Sequence, residues 1–84
     1  MEGVVSLSEM PLNAMGRVFC VRSEGAQLRR LKDLGFTPGA SVQKLMTAAA
    51  DDPSAYRICG CVIALRSADA SGILVWTDVG GDGK

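Results

Sequence analysis

The sequence contains no histidine, and its charges cancel: nine Lys and Arg stand against nine Asp and Glu. Without histidine the chain lacks the commonest general base and the commonest metal ligand. Without a net positive charge it lacks the footprint of most nucleic-acid binders, so no nucleic-acid partner is expected. Aromatic residues are scarce, at 5%. The longest strongly apolar run, Cys61 to Leu65, falls far short of the ~20 residues that a membrane-spanning helix needs. The chain is therefore expected not to insert into a membrane. The stretch Met1-Glu2-Gly3-Val4-Val5 has neither the basic segment nor the apolar run of a signal peptide. Three cysteines cannot all pair within one chain, and Cys59 and Cys61 are too close for an unstrained bridge. These absences together point to a cytoplasmic chain with reduced thiols.

What is present is enough for one small domain. Of 84 residues, 48% are hydrophobic and 21% charged, too apolar a balance for intrinsic disorder. A domain this small buries only about 60% of its unfolded surface, so its core must be thin. Residues 1–78 read as a single domain, and 79–84 as a mobile C-terminal tail with nothing to bury. Ten glycines and three prolines cut the chain into short elements. Leu7 to Pro11 reads as a turn or single helical turn. Gly16–Arg22, Ser41–Met46, Ala55–Cys59, Cys61–Arg66 and Ile73–Trp76 read as five strands, with Gly60 at a tight turn and Ser67 capping a short turn that Gly72 ends. Val42 and Leu45 are the apolar members of the second strand. Between the first two strands, Leu28, Leu31 and Leu34 share one face of a helix over Ala26–Leu34, while Arg29, Arg30, Lys32 and Asp33 occupy the other arc. Gly35 stands where a helix ends in the left-handed region, and Pro38-Gly39 is a type II turn signal. Five short strands and one helix predict a mainly β fold, a small closed or nearly closed barrel. Its core should include Val18, Val42, Ile63, Leu65 and Ile73 beneath the helix leucines.

No catalytic set can be assembled, and no enzyme and no cofactor are expected. The serines have no histidine to activate them. Asp51-Asp52 beside Pro53 reads as a solvated turn, not as an acid–base pair. Cys59-Gly60-Cys61 is the spacing that invites a metal, since two nearby thiolates chelate zinc-like ions. A structural site wants four ligands, however, and only the distant Cys20 remains. Cys59 and Cys61 thus read first as small buried hydrophobes and only weakly as metal ligands. Trp76 reads first as the lid of the core. Arg29, Arg30 and Lys32 are the strongest local charge cluster, either a solvated face or a docking surface for an acidic partner.

The order of motifs goes further. Leu7-Ser8-Glu9-Met10-Pro11, Gly16-Arg17-Val18, the Arg/Leu helix running into Leu34-Gly35-Phe36-Thr37-Pro38-Gly39, Ile63-Ala64-Leu65-Arg66 and Ile73-Leu74-Val75 together resemble the ferrous iron transport protein A (FeoA-like) family. The resemblance covers residues 7–76. It implies an SH3-like β-barrel with one short inserted α-helix, in which Leu28, Leu31, Leu34, Gly35, Pro38, Gly39, Ala64, Leu65 and Arg66 are structural. It also implies a cytoplasmic accessory of a bacterial ferrous iron uptake system, recruited to the inner face of the membrane. The partner so implied is a membrane ferrous iron permease with a GTPase domain. Arg29, Arg30, Lys32 and Phe36 are then the candidate contact residues. Asn13-Ala14-Met15, Cys59 and Cys61 depart from the family pattern. Two other readings stand beside this one: a regulatory module like the C-terminal SH3-like domain of iron-dependent transcriptional repressors, and a small cysteine-based metal binder. Self-association is left open.

Overall fold

A computed structural model describes residues 2–47 and 53–78. The Asp51-Asp52 turn and the 79–84 tail lie outside the described residues. The elements run β1 (Glu2–Ser6), a 3₁₀ turn (Leu7–Glu9), β2 (Met15–Val21), α1 (Gly25–Asp33), β3 (Ser41–Thr47), β4 (Ser54–Ile58), β5 (Cys61–Leu65), α2 (Ser67–Ala70) and β6 (Ile73–Asp78). All six strands form one sheet in the order β1-β6-β2-β3-β4-β5, and every neighbouring pair is antiparallel.

The mainly β reading holds, with two corrections. There is a strand at Glu2–Ser6 that the sequence pattern did not announce. Its pairing is tertiary: it lies against β6 from Glu2↔Asp78 to Ser6↔Leu74, and a run this short has no stability without that neighbour. Among the described residues the sheet also does not close, because β1 and β5 stand at opposite ends of the order and are not paired to each other.

Side-chain alternation builds the inside. In β4, Ser54, Tyr56 and Ile58 are buried while Arg57 is exposed, the period of two that a half-buried strand requires. Val18, Val42, Leu65, Ile73 and Val75 meet Leu7, Met10, Leu31 and Phe36 in one core, with Leu34 and Ile63 partly buried against it. Two bulges bend the sheet around that core. Val18 faces Val75 and Cys20 faces Leu74, leaving Phe19 unmatched; Lys44 faces Tyr56 and Met46 faces Ala55, leaving Leu45 unmatched. Val42 is joined inside by Lys44, two residues on, by plain strand alternation, and Leu45, at the bulge, has no residue opposite it. Lys44 is only 9% exposed, and its Nζ donates to the Ser8 carbonyl at 3.3 Å, so its aliphatic stem packs while the charge keeps an acceptor.

Helix α1 contributes Leu31 to the core, with Leu28 and Leu34 half-buried. Its end is a Schellman motif. The Gly35 N–H reaches the Lys32 carbonyl at 3.0 Å, and the Phe36 N–H reaches the Leu31 carbonyl at 3.0 Å, with Gly35 at φ +111. The apolar contact that accompanies this motif joins Phe36 to Leu31, both fully buried. Pro38-Gly39 then turns the chain: Gly39 has φ +92, and the Ala40 N–H donates to the Thr37 carbonyl at 3.0 Å. At α2, Arg66 and not Ser67 holds the N-cap position, with no side-chain cap bond.

Candidate partner-binding surface

The candidate contact residues divide sharply by burial. Arg29, Arg30 and Lys32 are all exposed on α1, away from the buried Leu31. None of the three has an ion pair or hydrogen bond from its side chain to a described residue. Arg30 and Lys32 lie in the last turn, where cations favour the negative end of the helix dipole. They therefore serve the helix itself. Phe36 does not belong with them. It is fully buried, because the Schellman turn points it back onto Leu31, and it offers no surface anchor.

The cysteines also depart from their first reading. Cys59 and Cys61 are both exposed, and Cys20 is partly buried. They are not core fillers, because the β4–β5 turn carries Cys59 and Gly60 out of the sheet. Both turn residues have positive φ, +52 and +79, as a two-residue type I′ hairpin requires. The Cys59 thiol lies 3.8 Å from the Gly35 carbonyl at the end of α1. Among the described residues no group of three or more His, Cys, Asp or Glu is placed to hold a metal ion. None of their helices is long and apolar enough to cross a membrane.

Trp76 also departs from its first reading. It is 42% exposed and meets Phe19, 45% exposed, edge to face at 5.3 Å between ring centroids. Both point to the outer face because Val18 and Val75 take the inner positions. The outer face bears more apolar surface than the sequence pattern suggested: Met15, Met46 and Val62 are each about 60% exposed. Met15, Gln43, Arg57 and Val62 stand in one row across β2, β3, β4 and β5. An open groove of about 260 Å³ lies on this face, lined in part by Met15, Gln43, Arg57 and Cys59. Strands β2 to β5 carry cations at Arg17, Lys44 and Arg57 and not one acidic residue. That one-sided charge was visible in the sequence once the strands were marked off. An edge strand, β5, borders the same face.

Comparisons with known proteins agree with this geometry. Residues 5–76 match the FeoA domain family. Among solved structures, the FeoA protein of Chlorobium tepidum is 34% identical over 94% of this chain and 75% of that one, with a TM-score of 0.83. The FeoA of Stenotrophomonas maltophilia, solved with zinc, is 29% identical over 84% of this chain and 88% of that one, with a TM-score of 0.76. It is described as a prokaryotic SH3 domain protein and put forward as a ferrous iron transport activating factor. The fold here is accordingly SH3-like. A manganese-dependent transcriptional repressor matches at 17% identity over 92% of this chain and 43% of that one, with a TM-score of 0.80. That likeness speaks for the fold alone. A search of the curated proteins finds no match.

Proposed function

Since the chain belongs to the FeoA family, we propose that it is a small, non-enzymatic accessory of ferrous iron transport that works in the cytoplasm by protein–protein contact. The partner is the cytosolic part of a membrane ferrous iron permease with a GTPase domain, and the contact runs through the exposed cations of α1. The observation that carries this reading is Arg29, Arg30 and Lys32, exposed and unpaired among the described residues, on one short helix of a chain with zero net charge. A charged patch of this kind acts mainly on encounter rate and salt dependence. The test is the double variant Arg29→Glu with Arg30→Glu, which should fold normally yet capture the permease's cytosolic portion more slowly, the deficit shrinking as salt is raised. Normal capture across a salt series would place the contact elsewhere.

The reading also makes iron something that this chain helps to move without holding. Its ligand supply supports this, because hard-cation sites need about six oxygens in a cage. Anaerobic calorimetry with ferrous iron should show no stoichiometric, micromolar binding to the isolated chain. The Stenotrophomonas relative's zinc keeps a second reading alive, a soft metal on Cys59 and Cys61, which metal analysis of anaerobically purified protein separates from the first.

A further inference from the structure

The edge strand β5 supports an inference beyond a generic docking helix. Its five residues, Cys-Val-Ile-Ala-Leu, contain no charge and no proline, and its register with β4 runs unbroken from Ile58↔Cys61 to Ser54↔Leu65. A charge, a proline or a bulge within the strand is among the features that blunt an edge against further pairing. Here none is present within the strand. Ile58 and Cys61 close the two-residue turn as a hydrogen-bonded pair, and bonded pairs alternate along an antiparallel ladder. The N–H and C=O groups of Cys61, Ile63 and Leu65 therefore face β4. Those of Val62 and Ala64 face the open side, and both residues are exposed.

The surroundings of this edge are positive. Arg57 stands opposite Val62 on the outer face, and Arg66 follows the strand; both are exposed, and neither side chain has a described partner. Helix α1 is held at both ends of the strand. Near its start, Gln27 donates to the Asp69 carboxylate of α2 at 2.8 Å, just beyond Leu65. At its end, Gly35 meets Cys59, just before Cys61.

We propose that β5 receives an extended, acidic segment of a partner protein as an added strand, bonded to the backbone of Val62 and Ala64, with its carboxylates directed to Arg57 and Arg66. This is β-strand addition, in which main-chain bonds give affinity and alternate side chains give specificity. A second copy of this chain is the competing occupant, but its β5 would bring two further arginines and no acid to the junction. Charge complementarity selects the acidic segment. The proposal rests on the reading above only for the source of that segment, the permease's cytosolic portion.

The probe is a capped heptapeptide of alternating glutamate and valine, with a lysine–valine peptide as its counterpart, followed by amide hydrogen exchange in the full chain. The glutamate peptide should slow exchange at Val62 and Ala64 by about tenfold or more at saturation, as new bonds protect open amides. The lysine peptide should leave them unchanged. Arg57→Gln should weaken the glutamate peptide up to about fivefold, the scale of an exposed ion pair. Ala64→Pro should abolish binding, because it removes an outward N–H without breaking the β4 ladder. Should that variant fail to fold, Val62→Glu repels the peptide on an intact backbone. Equal binding of the two peptides, or binding that survives both Ala64→Pro and Val62→Glu in folded protein, overturns the proposal. So does concentration-dependent protection of Val62 and Ala64 without peptide, which would assign the edge to a second copy. The two readings separate in a capture assay. Loss with Ala64→Pro but not with the α1 double variant supports strand addition and removes the helix contact; the reverse removes strand addition.

Discussion

Two chain reversals touch each other in this molecule, the end of α1 at Gly35 and the β4–β5 turn at Cys59-Gly60, and they are built to different standards. At the first, a glycine takes φ +111, the two orphan carbonyls of Lys32 and Leu31 are satisfied, and Phe36 seals the turn against the core. At the second, a cysteine takes φ +52 in a position that favours asparagine or glycine, and both turn residues are exposed. The first reversal is consistent at every level: turn residue, hydrogen bonds and burial agree. The second satisfies the turn geometry with the wrong residue type. The helix end is fixed by burial as well as by hydrogen bonds, whereas the β4–β5 turn is exposed and depends on its strands, whose Tyr56, Ile58 and Leu65 reach the core.

The largest effect should come from breaking the helix end. Leu31 is fully buried and its carbonyl accepts the Phe36 N–H. Leu31→Ala should cost ~2–5 kcal/mol. For a domain with a total of ~5 kcal/mol that approaches global unfolding, and chemical denaturation reads it directly. An unchanged midpoint would show that α1 is not a structural member of the core.

The contact between the two reversals gives an intermediate effect. A Cβ at Gly35 would lie 2.9 Å from the Cys59 sulfur, whereas one at Gly39, φ +92, would meet nothing within 4 Å. Gly39→Ala should therefore cost only the torsional strain of ~1–2 kcal/mol. Gly35→Ala should cost that and the clash, for about 2–3 kcal/mol in all. The excess should vanish when Gly35→Ala is made on a Cys59→Ala background, since the sulfur is then gone and the Cys59 Cβ lies at an ordinary 3.5 Å. A double-mutant cycle in urea measures this coupling. Equal costs at Gly35 and Gly39 would mean that the thiol simply rotates away.

Local signals made much of this legible. Leu34-Gly35-Phe36 announced the helix end, Pro38-Gly39 its turn, and the leucine spacing the buried face of α1. What stayed hidden was set by partners far along the chain. β1 exists because β6 lies beside it, although the paired residues are far apart in sequence, from Glu2↔Asp78 to Ser6↔Leu74, and nothing in Gly3-Val4-Val5 encodes that neighbour. Lys44 takes the inner place beside Val42 because strand side chains alternate with a period of two, and the bulge that leaves Leu45 without an opposite residue depends on the strand facing it. Trp76 faces out because its neighbours Val75 and Thr77 are buried, so strand alternation overrides its apolar residue type. The candidate site was legible in part. The cations of α1 stood out, but Phe36 was grouped with them by proximity in sequence, although Gly35 reverses its direction. The open edge of β5 could not be seen before the strand order was known.

The smallest expected effect sharpens the comparison from the other side. If the β4–β5 turn pays for its cysteine in backbone strain, relieving the strain should stabilise the domain. Asparagine tolerates the left-handed region better than other side-chain-bearing residues, and Asn-Gly is the preferred pair for a two-residue type I′ hairpin. Cys59→Asn creates that pair with Gly60 while leaving the Ile58↔Cys61 closure untouched. The substitution gives up only a 3.8 Å thiol contact to the Gly35 carbonyl, a weak interaction beside a torsional penalty. The expected gain is about 0.5–1 kcal/mol, in the range of other turn optimisations. Thermal and urea denaturation should both register it, with an unchanged m-value because the surface exposed on unfolding is the same. A loss of stability would reverse the comparison: the Cys59 thiol would then be fastening the hairpin to the end of α1, and the β4–β5 turn would depend on the helix end that it touches.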